Sequence, residues 1–183
     1  MCAVGLLGVL FAAAVPPVQA GLADTDVRLA ARYVAARLHQ ARLEAARRNA
    51  NVGLLFSEAG APVTFTLVAD GDGDGVRRAD VAAGVDPDLD ADDALERHWR
   101  RVRAGVPRAV PGLDGSAALA AGADPVRFGS SRMVVFSPLG GATSGTFYLS
   151  STAGAVMAVR VTGATGRIRV WRLDPGTSRW VPW

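Results

Sequence analysis

The fold of this chain is decided where residues 24–51, DTDVRLAARYVAARLHQARLEAARRNAN, meet residues 52–69, VGLLFSEAGAPVTFTLVA. In the first stretch, apolar residues recur every three or four positions, as on one face of an amphipathic helix. They are Val27, Ala31, Val34, Leu38, Ala41 and Ala45. In the second stretch the period falls to two, since Val63, Phe65 and Leu67 alternate with threonines. This change of period predicts a long helix followed by a β-hairpin.

Further stretches toward the C-terminus have the composition of β-strands and are bounded by Gly, Ser, Pro or Asp turn signals. They are VRFG from Val126, RMVVFSP, GTFYLSS, AVMAVRVT and GRIRVWRLD. Residues 70–125 are irregular and rich in Gly, Pro and Asp, with one short helix predicted around Leu95 to Val102. We therefore predict an α+β fold, in which a long N-terminal α-helix packs on a mostly antiparallel β-sheet domain.

The composition is that of a folded domain with little material for catalysis. Half of the 183 residues are apolar, which is enough for one domain with a sizeable core. All 20 basic residues are arginines, and the chain has one cysteine and two histidines. These numbers leave little for a zinc site or a nucleophile–base pair, and no serine lies in a nucleophile-elbow pattern. We predict no enzymatic activity and no small-molecule substrate.

The N-terminus carries an uncharged run from Cys2 to Val15, followed by two prolines. As a helix it measures roughly 21 Å, which is short of the ~30 Å hydrocarbon core of a bilayer. A secretory signal cleaved after Ala20 is one interpretation, although a basic leader is missing. A start that lies inside a longer hydrophobic helix is the other, and both stay open at this point.

An acidic stretch after the predicted hairpin has half of a calcium-binding motif. Asp70, Asp72 and Asp74 alternate with glycines, and Gly75 occupies the sixth position of such a loop. The twelfth position, where the motif has glutamate, is Val81, and Asp80 comes one residue early. The pattern predicts a weak calcium site at Asp70, Asp72, Asp74 and Asp80. The alternative is a solvated Asp-Gly turn that binds no metal.

Arginines accumulate near the C-terminus, among tryptophans, at Arg160, Arg167, Arg169 and Arg172. A period of two places Arg167, Arg169 and Trp171 on one face of their strand. A basic face with aromatic rings is suited to phosphates and bases, so these four arginines are candidate nucleic-acid ligands. The alternative is an ordinary solvent face whose arginines pair with nearby carboxylates.

The order of these motifs resembles that of pseudopilins of the GspH/FimT kind, the minor pilin-like subunits of type II secretion and type IV pilus machines. The segments that carry the resemblance are GVLFAAAVPP, ARLHQARLEAARRNANVGLLF, FTLVADGDGDGVRRAD, VVFSPLGGATSGTFYLS and AVRVTGATGRIRV. The last of them contains a G-R-x-R pattern from Gly166 to Arg169. The resemblance extends over most of the chain and is weakest between Val81 and Asp124.

The resemblance implies a pilin-like fold and a structural role in a type II secretion or type IV pilus-like filament. Residues 1–23 would be a truncated membrane and filament-core helix, and residues 24–183 a periplasmic domain. The implied location is the bacterial inner membrane, with a single pass, and the implied partners are other pilins or pseudopilins. The alternative function is that of a DNA-binding minor pilin for DNA uptake. The leader, its processing site and a glutamate are expected upstream of Met1, where the in-frame codons test the idea.

Overall fold

The computed structural model describes the backbone of residues 2–58, 60 and 62–183, and the side chains of 20–58, 60, 62–113 and 115–183. Its first element is one helix, α1 (Cys2–Arg48), which passes through the predicted boundary at residues 23 and 24 without a break. The predicted apolar run from Cys2 to Val15 lies outside the described side chains. Within the described part of the chain, no helix has both the length and the apolar composition that a membrane crossing requires.

One face of α1 lies at the centre of the hydrophobic core. All six apolar residues that the helical period identifies are fully buried, and Ala23 and Ala30 extend the same face. Most of these side chains are alanines, which lets the helix axis approach the strands closely. Leu38 is the largest of them, and burying such a side chain contributes about 1.5–3 kcal/mol. The predicted amphipathic helix is thus confirmed residue by residue.

Strands and short helices make up the rest of the chain. The strands are β1 (Val52–Phe56), β2 (Thr64–Ala69), β3 (Asp93–Ala94), β4 (Val102–Ala104), β5 (Val126–Arg127), β6 (Met133–Phe136), β7 (Gly145–Ser151), β8 (Val156–Thr162), β9 (Arg167–Leu173) and β10 (Trp180–Pro182). The short helices are α2 (Arg78–Ala83) and α3 (Leu95–His98), with 3-10 turns at Leu113–Gly115 and Gly163–Thr165. Each strand predicted from residue 126 onward is present.

The strands form two antiparallel sheets beside α1. The small sheet has the order β3-β2-β1-β6, and the large sheet has the order β10-β9-β8-β7-β4, with β5 also paired to β7. The predicted hairpin is confirmed by the pairing of β1 with β2, in a register that runs from Val52 opposite Ala69 to Phe56 opposite Phe65. α1 contacts strands of both sheets. The predicted α+β fold, with one long helix packed on antiparallel strands, is therefore confirmed.

The irregular middle of the chain is attached to the side of α1 by polar contacts. Arg37 forms an ion pair with Asp90, and the Tyr33 hydroxyl donates a hydrogen bond to Asp93. The helix predicted around Leu95 to Val102 is a single turn, since α3 ends at His98 and Trp99 is already extended. A segment this short has too few apolar residues for helical periodicity to predict where the helix begins and ends.

The face of the large sheet that points away from α1 is half covered. A second apolar cluster joins the loop of residues 105–125 to the sheet, and its buried members are Val106, Val110, Leu119, Tyr148, Val156, Ala158 and Leu173. The loop therefore covers one end of the outer face, around Tyr148 and Val156. The other end of the same face, with Thr146, Arg160 and Arg169, lies beyond this cluster.

Candidate functional site

Three of the four predicted arginines lie together at the other end of this outer face. Arg169 of β9 is directly opposite Arg160 of β8, and Arg167 is opposite Thr162. Directly opposite residues of antiparallel strands project from the same face. Arg167 and Arg169 are exposed, while Arg160 is partly buried and donates a hydrogen bond from Nη1 to Thr146 Oγ1 at 3.1 Å. We call this group the arginine patch.

The sheet adds a fourth arginine that sequence reasoning missed. Arg127 of β5 is opposite Thr146 of β7, which is in turn opposite Arg160. Arg127 therefore extends the arginine patch by one strand on the same face. No local pattern shows this, because Arg127 and Arg160 become neighbours only through the pairing of two distant strands with β7.

The remaining predicted arginine, Arg172, lies on the opposite face of β9. It pairs in register with Met157, which belongs to the buried core beneath α1. Arg172 lines a cavity together with Asp24 of α1. The structure thus brings Arg160, Arg167 and Arg169 together and places Arg172 apart from them.

The turn before β9 requires a glycine, and this explains the first residue of the G-R-x-R pattern. Gly166 has a left-handed φ of 57°, and a Cβ there would lie 2.6 Å from the carbonyl oxygen of Gly140. Arg42 of α1 donates a hydrogen bond from Nη1 to the carbonyl oxygen of Gly166 at 3.4 Å. The close approach of Gly140 and the hydrogen bond from Arg42 fix the start of β9 relative to the loop at Gly140 and to α1. They therefore also fix the position of Arg167.

The ion pairs among the described side chains lie away from three of the four arginines of the patch. No salt bridge among the described side chains includes Arg127, Arg167 or Arg169. The described arginines that form these ion pairs are on α1 or in the segment of residues 77–132, as with Arg77 and Asp74.

The acidic loop brings three of its four predicted calcium ligands together. One carboxylate oxygen each from Asp70, Asp72 and Asp74 lies within 4.8 Å of the others. The loop is also held by protein contacts alone: Asp70 accepts hydrogen bonds from Asn51 Nδ2 at 2.9 Å and from the Gly73 amide at 2.7 Å. Burial opposes ionisation of Asp70, but these bonds outweigh it and lower the pKa of its carboxyl.

Asp80 lies outside that group, in the first turn of α2. A different carboxylate, Asp86, is buried and accepts hydrogen bonds from the amides of Gly71 and Arg77, both at 2.9 Å. Through these bonds Asp86 links the two ends of the loop. In the sequence it is one aspartate of the acidic run DPDLDADD, and no motif singles it out. Calcium binding stays a prediction, which calorimetric titration of the full chain with calcium tests.

The solvent side of α1 carries a regular apolar stripe. Leu22, Leu29, Ala36 and Leu43 follow one another at intervals of seven residues, and all four are exposed. Leu43 has the largest exposure of these leucines, at 70%. A seven-residue interval drifts only ~20° per step around a straight α-helix, so the four side chains form one line along it. We call this line the leucine stripe, and the domain leaves it uncovered.

A polar and aromatic cluster beside α1 was not predicted from the sequence. His98 Nε2 lies 2.9 Å from both carboxylate oxygens of Asp93. The rings of Tyr33, His98 and Trp99 contact one another, with centroids 5.2 to 5.5 Å apart. Burial and the hydrogen bond to Asp93 raise the pKa of Tyr33 to about 12. The cluster fixes α3 against α1, which gives it a structural role.

A long N-terminal helix whose inner face is covered by antiparallel sheets is the architecture of a pilin-like fold. Comparison with protein families agrees, since the family described as "Type II transport protein GspH" matches residues 30–166, about three-quarters of the chain. The chain therefore belongs to the GspH family, and the predicted membership is confirmed. No curated protein matches the chain, and no solved structure does. The family is structural rather than catalytic.

Proposed function

We propose that this protein is a minor pseudopilin that assembles with other pilin-like subunits through the solvent side of α1. The family assignment supports a type II secretion subunit, and the leucine stripe is the observation that supports this mode of assembly. The three leucines of the stripe are all exposed and lie in one line on the side of α1 that faces away from both sheets. A second helix placed along the stripe would remove them from water.

In this proposal the N-terminal part of α1 anchors the chain in the inner membrane of a bacterium, with the domain of residues 24–183 in the periplasm. The same helix then packs among the helices of neighbouring subunits in a short filament. The polar sides of α1 differ in charge, since Arg32 and Arg42 lie toward β9 while Asp26 faces Arg101. Such asymmetry would favour one orientation of a neighbouring helix over others.

The assembly proposal predicts that charges on the leucine stripe prevent assembly without unfolding the domain. The leucines of the stripe are between 45% and 70% exposed, so covering each of them contributes about 1 kcal/mol. The double variant Leu29→Glu/Leu43→Glu should lose both contributions and add two desolvation costs, which reduces copurification with partner pseudopilins at least ~30-fold. The measurement is affinity copurification from membranes of a bacterium that expresses the full secretion apparatus.

A matched control is Leu139→Glu, because Leu139 is 97% exposed and lies in the loop between β6 and β7 rather than on α1. It should copurify like the unaltered chain. Both proteins should keep the thermal melting temperature of the unaltered chain, since the substituted residues are on the surface. Normal copurification of the double variant would contradict the proposal.

A second function, DNA binding, is favoured by the arginine patch. Arg160, Arg167 and Arg169 share one solvent face with Arg127, and neighbouring guanidinium groups on one face suit a row of phosphates. The class of partner would then be a nucleic acid that the subunit binds outside the cell membrane. Four arginines from three strands spread along one face of the large sheet, which fits a polyanion better than a small molecule.

DNA binding predicts a salt dependence that is specific to the arginine patch. In mobility-shift titrations at several salt concentrations, the Arg167→Ala/Arg169→Ala variant should lower the slope of log affinity against log salt by about 2, one unit per phosphate contact. Arg97 and Arg100 are exposed on another side of the domain. Their replacement by alanine removes the same charge and should leave the slope within about half a unit. Equal slopes for the two double variants would exclude the patch as the binding surface.

A further inference from the structure

A groove runs between α1 and β9, next to the arginine patch. It encloses about 380 Å³, with Ala35 and His39 on the helix side and Ile168 and Val170 on the sheet side. Trp183 forms one end of it. The groove is open because β10 pairs only with the Trp171–Leu173 half of β9, so that no described strand covers the edge beside Ile168. We call this feature the α1–β9 groove.

Both sides of the α1–β9 groove are basic. Arg169, which belongs to the arginine patch, also lines the groove. On the helix side, Arg42 reaches the Gly166 carbonyl at the start of β9, and the Arg32 guanidinium lies 4.3 Å from the centre of the Trp183 ring. None of the described residues that line the groove is acidic. A partner in this groove would therefore carry negative charge on both of its flanks.

The aromatic end of the groove adds a second requirement on the partner. Trp183 is 40% exposed, and Arg32 stacks on its ring, as arginine commonly does on tryptophan. The floor beside the ring is apolar, with Ile168 and Val170 packed on the core. Flat rings stack on such a surface, while an acidic peptide gains little from it. A repeating chain of flat rings joined by anionic groups meets both requirements.

We infer that the α1–β9 groove binds an unstacked base of single-stranded nucleic acid against Trp183, while phosphates on either side contact Arg169 and Arg32. The inference rests on the DNA-binding function proposed above and specifies its ligand as a strand whose bases are free to stack. The path of the strand runs from the arginine patch over the edge of β9 to the helix. In duplex DNA the bases already stack on one another, so they are not available to stack on Trp183.

The test compares two single strands that differ only in their bases. Full-length protein in non-ionic detergent is titrated against fluorescently labelled oligo(dT) and against an abasic phosphodiester chain of equal length, with anisotropy as the readout. Oligo(dT) should bind about 10-fold more tightly, since stacking of one base on an aromatic ring contributes about that factor. Trp183→Leu should abolish this preference without weakening abasic binding, and Trp183→Phe should keep most of it.

Failure of this inference is distinguishable from failure of DNA binding. If both strands bind equally and Trp183→Leu changes neither, the groove inference is overturned while the arginine patch remains a phosphate-binding surface. If neither strand binds the unaltered protein, the DNA function falls and the inference falls with it. Competition by a poly-glutamate peptide of equal charge, as effective as oligo(dT), would also overturn the inference, because charge alone would then explain binding.

Discussion

Replacing Phe56 with alanine is expected to lower the free energy of unfolding by about 3–5 kcal/mol, the range for removal of a fully buried phenylalanine side chain. Phe56 is completely buried at the end of β1. Its ring stacks on those of Phe147, at 5.2 Å, and Phe128, at 5.9 Å. Phe147 belongs to the large sheet, so Phe56 joins the small sheet to the large one and its loss leaves a cavity at their junction.

The measurement is chemical denaturation followed by circular dichroism. Phe56→Leu keeps most of the buried side-chain volume and should lower the free energy of unfolding by less than about 2 kcal/mol. Comparison of the two variants separates the effect of the cavity from the effect of replacing the ring. Leu139→Ala, at an exposed position, should stay within about 0.5 kcal/mol of the unaltered protein. A loss below about 1 kcal/mol for Phe56→Ala would show that the two sheets do not depend on this contact.

The sequence predicts those parts of the fold whose signal is local. The buried face of α1 follows from the spacing of Val27 through Ala45, and the β1–β2 hairpin follows from alternation in residues 52–69. Both patterns arise within fewer than 20 consecutive residues, so one face of each element can be assigned without knowing its neighbour. The order of the strands in the two sheets has no such local signal. It depends on which distant segments pair, as β1 does with β6, and periodicity contains no information on that.

The candidate sites divide in the same way. Arg167 and Arg169 share a face because they are two residues apart, and the sequence predicts this correctly. Arg127 joins them only through β7, and Trp183 meets Arg32 only because the chain end lies along the helix. The acidic loop shows the limit of a motif, since three aspartates cluster as their spacing predicts while Asp86 closes the loop from 12 residues beyond Asp74.

Removal of Asp124 is expected to destabilise the protein by about 2 kcal/mol, because it leaves the buried Arg132 without its counter-charge, while the 34% exposure of Asp124 lets water replace part of the contact. The Arg132 side chain is only 8% exposed and forms an ion pair with Asp124. It also donates a hydrogen bond from Nε to the Ser57 carbonyl oxygen at 2.7 Å. Arg132 has a positive φ of 51°, a conformation that costs a non-glycine residue free energy. Its contacts with Asp124 and Ser57 therefore hold a strained turn.

The variant Asp124→Ala tests this, with urea denaturation as the measurement and Asp24→Ala as the control. Asp24 pairs with Arg28 on α1 with both side chains more than a third exposed, and such a pair contributes less than about 1 kcal/mol. The double variant Asp124→Ala/Arg132→Met should recover part of the loss, since it removes the uncompensated charge and keeps an apolar side chain in its place. If the double variant lost more stability than the two single variants lose together, the uncompensated charge would not be the cause of the loss. The cost would then lie in the turn that Arg132 shares with the amide of Phe56, whose hydrogen bond to the Arg132 carbonyl measures 3.1 Å.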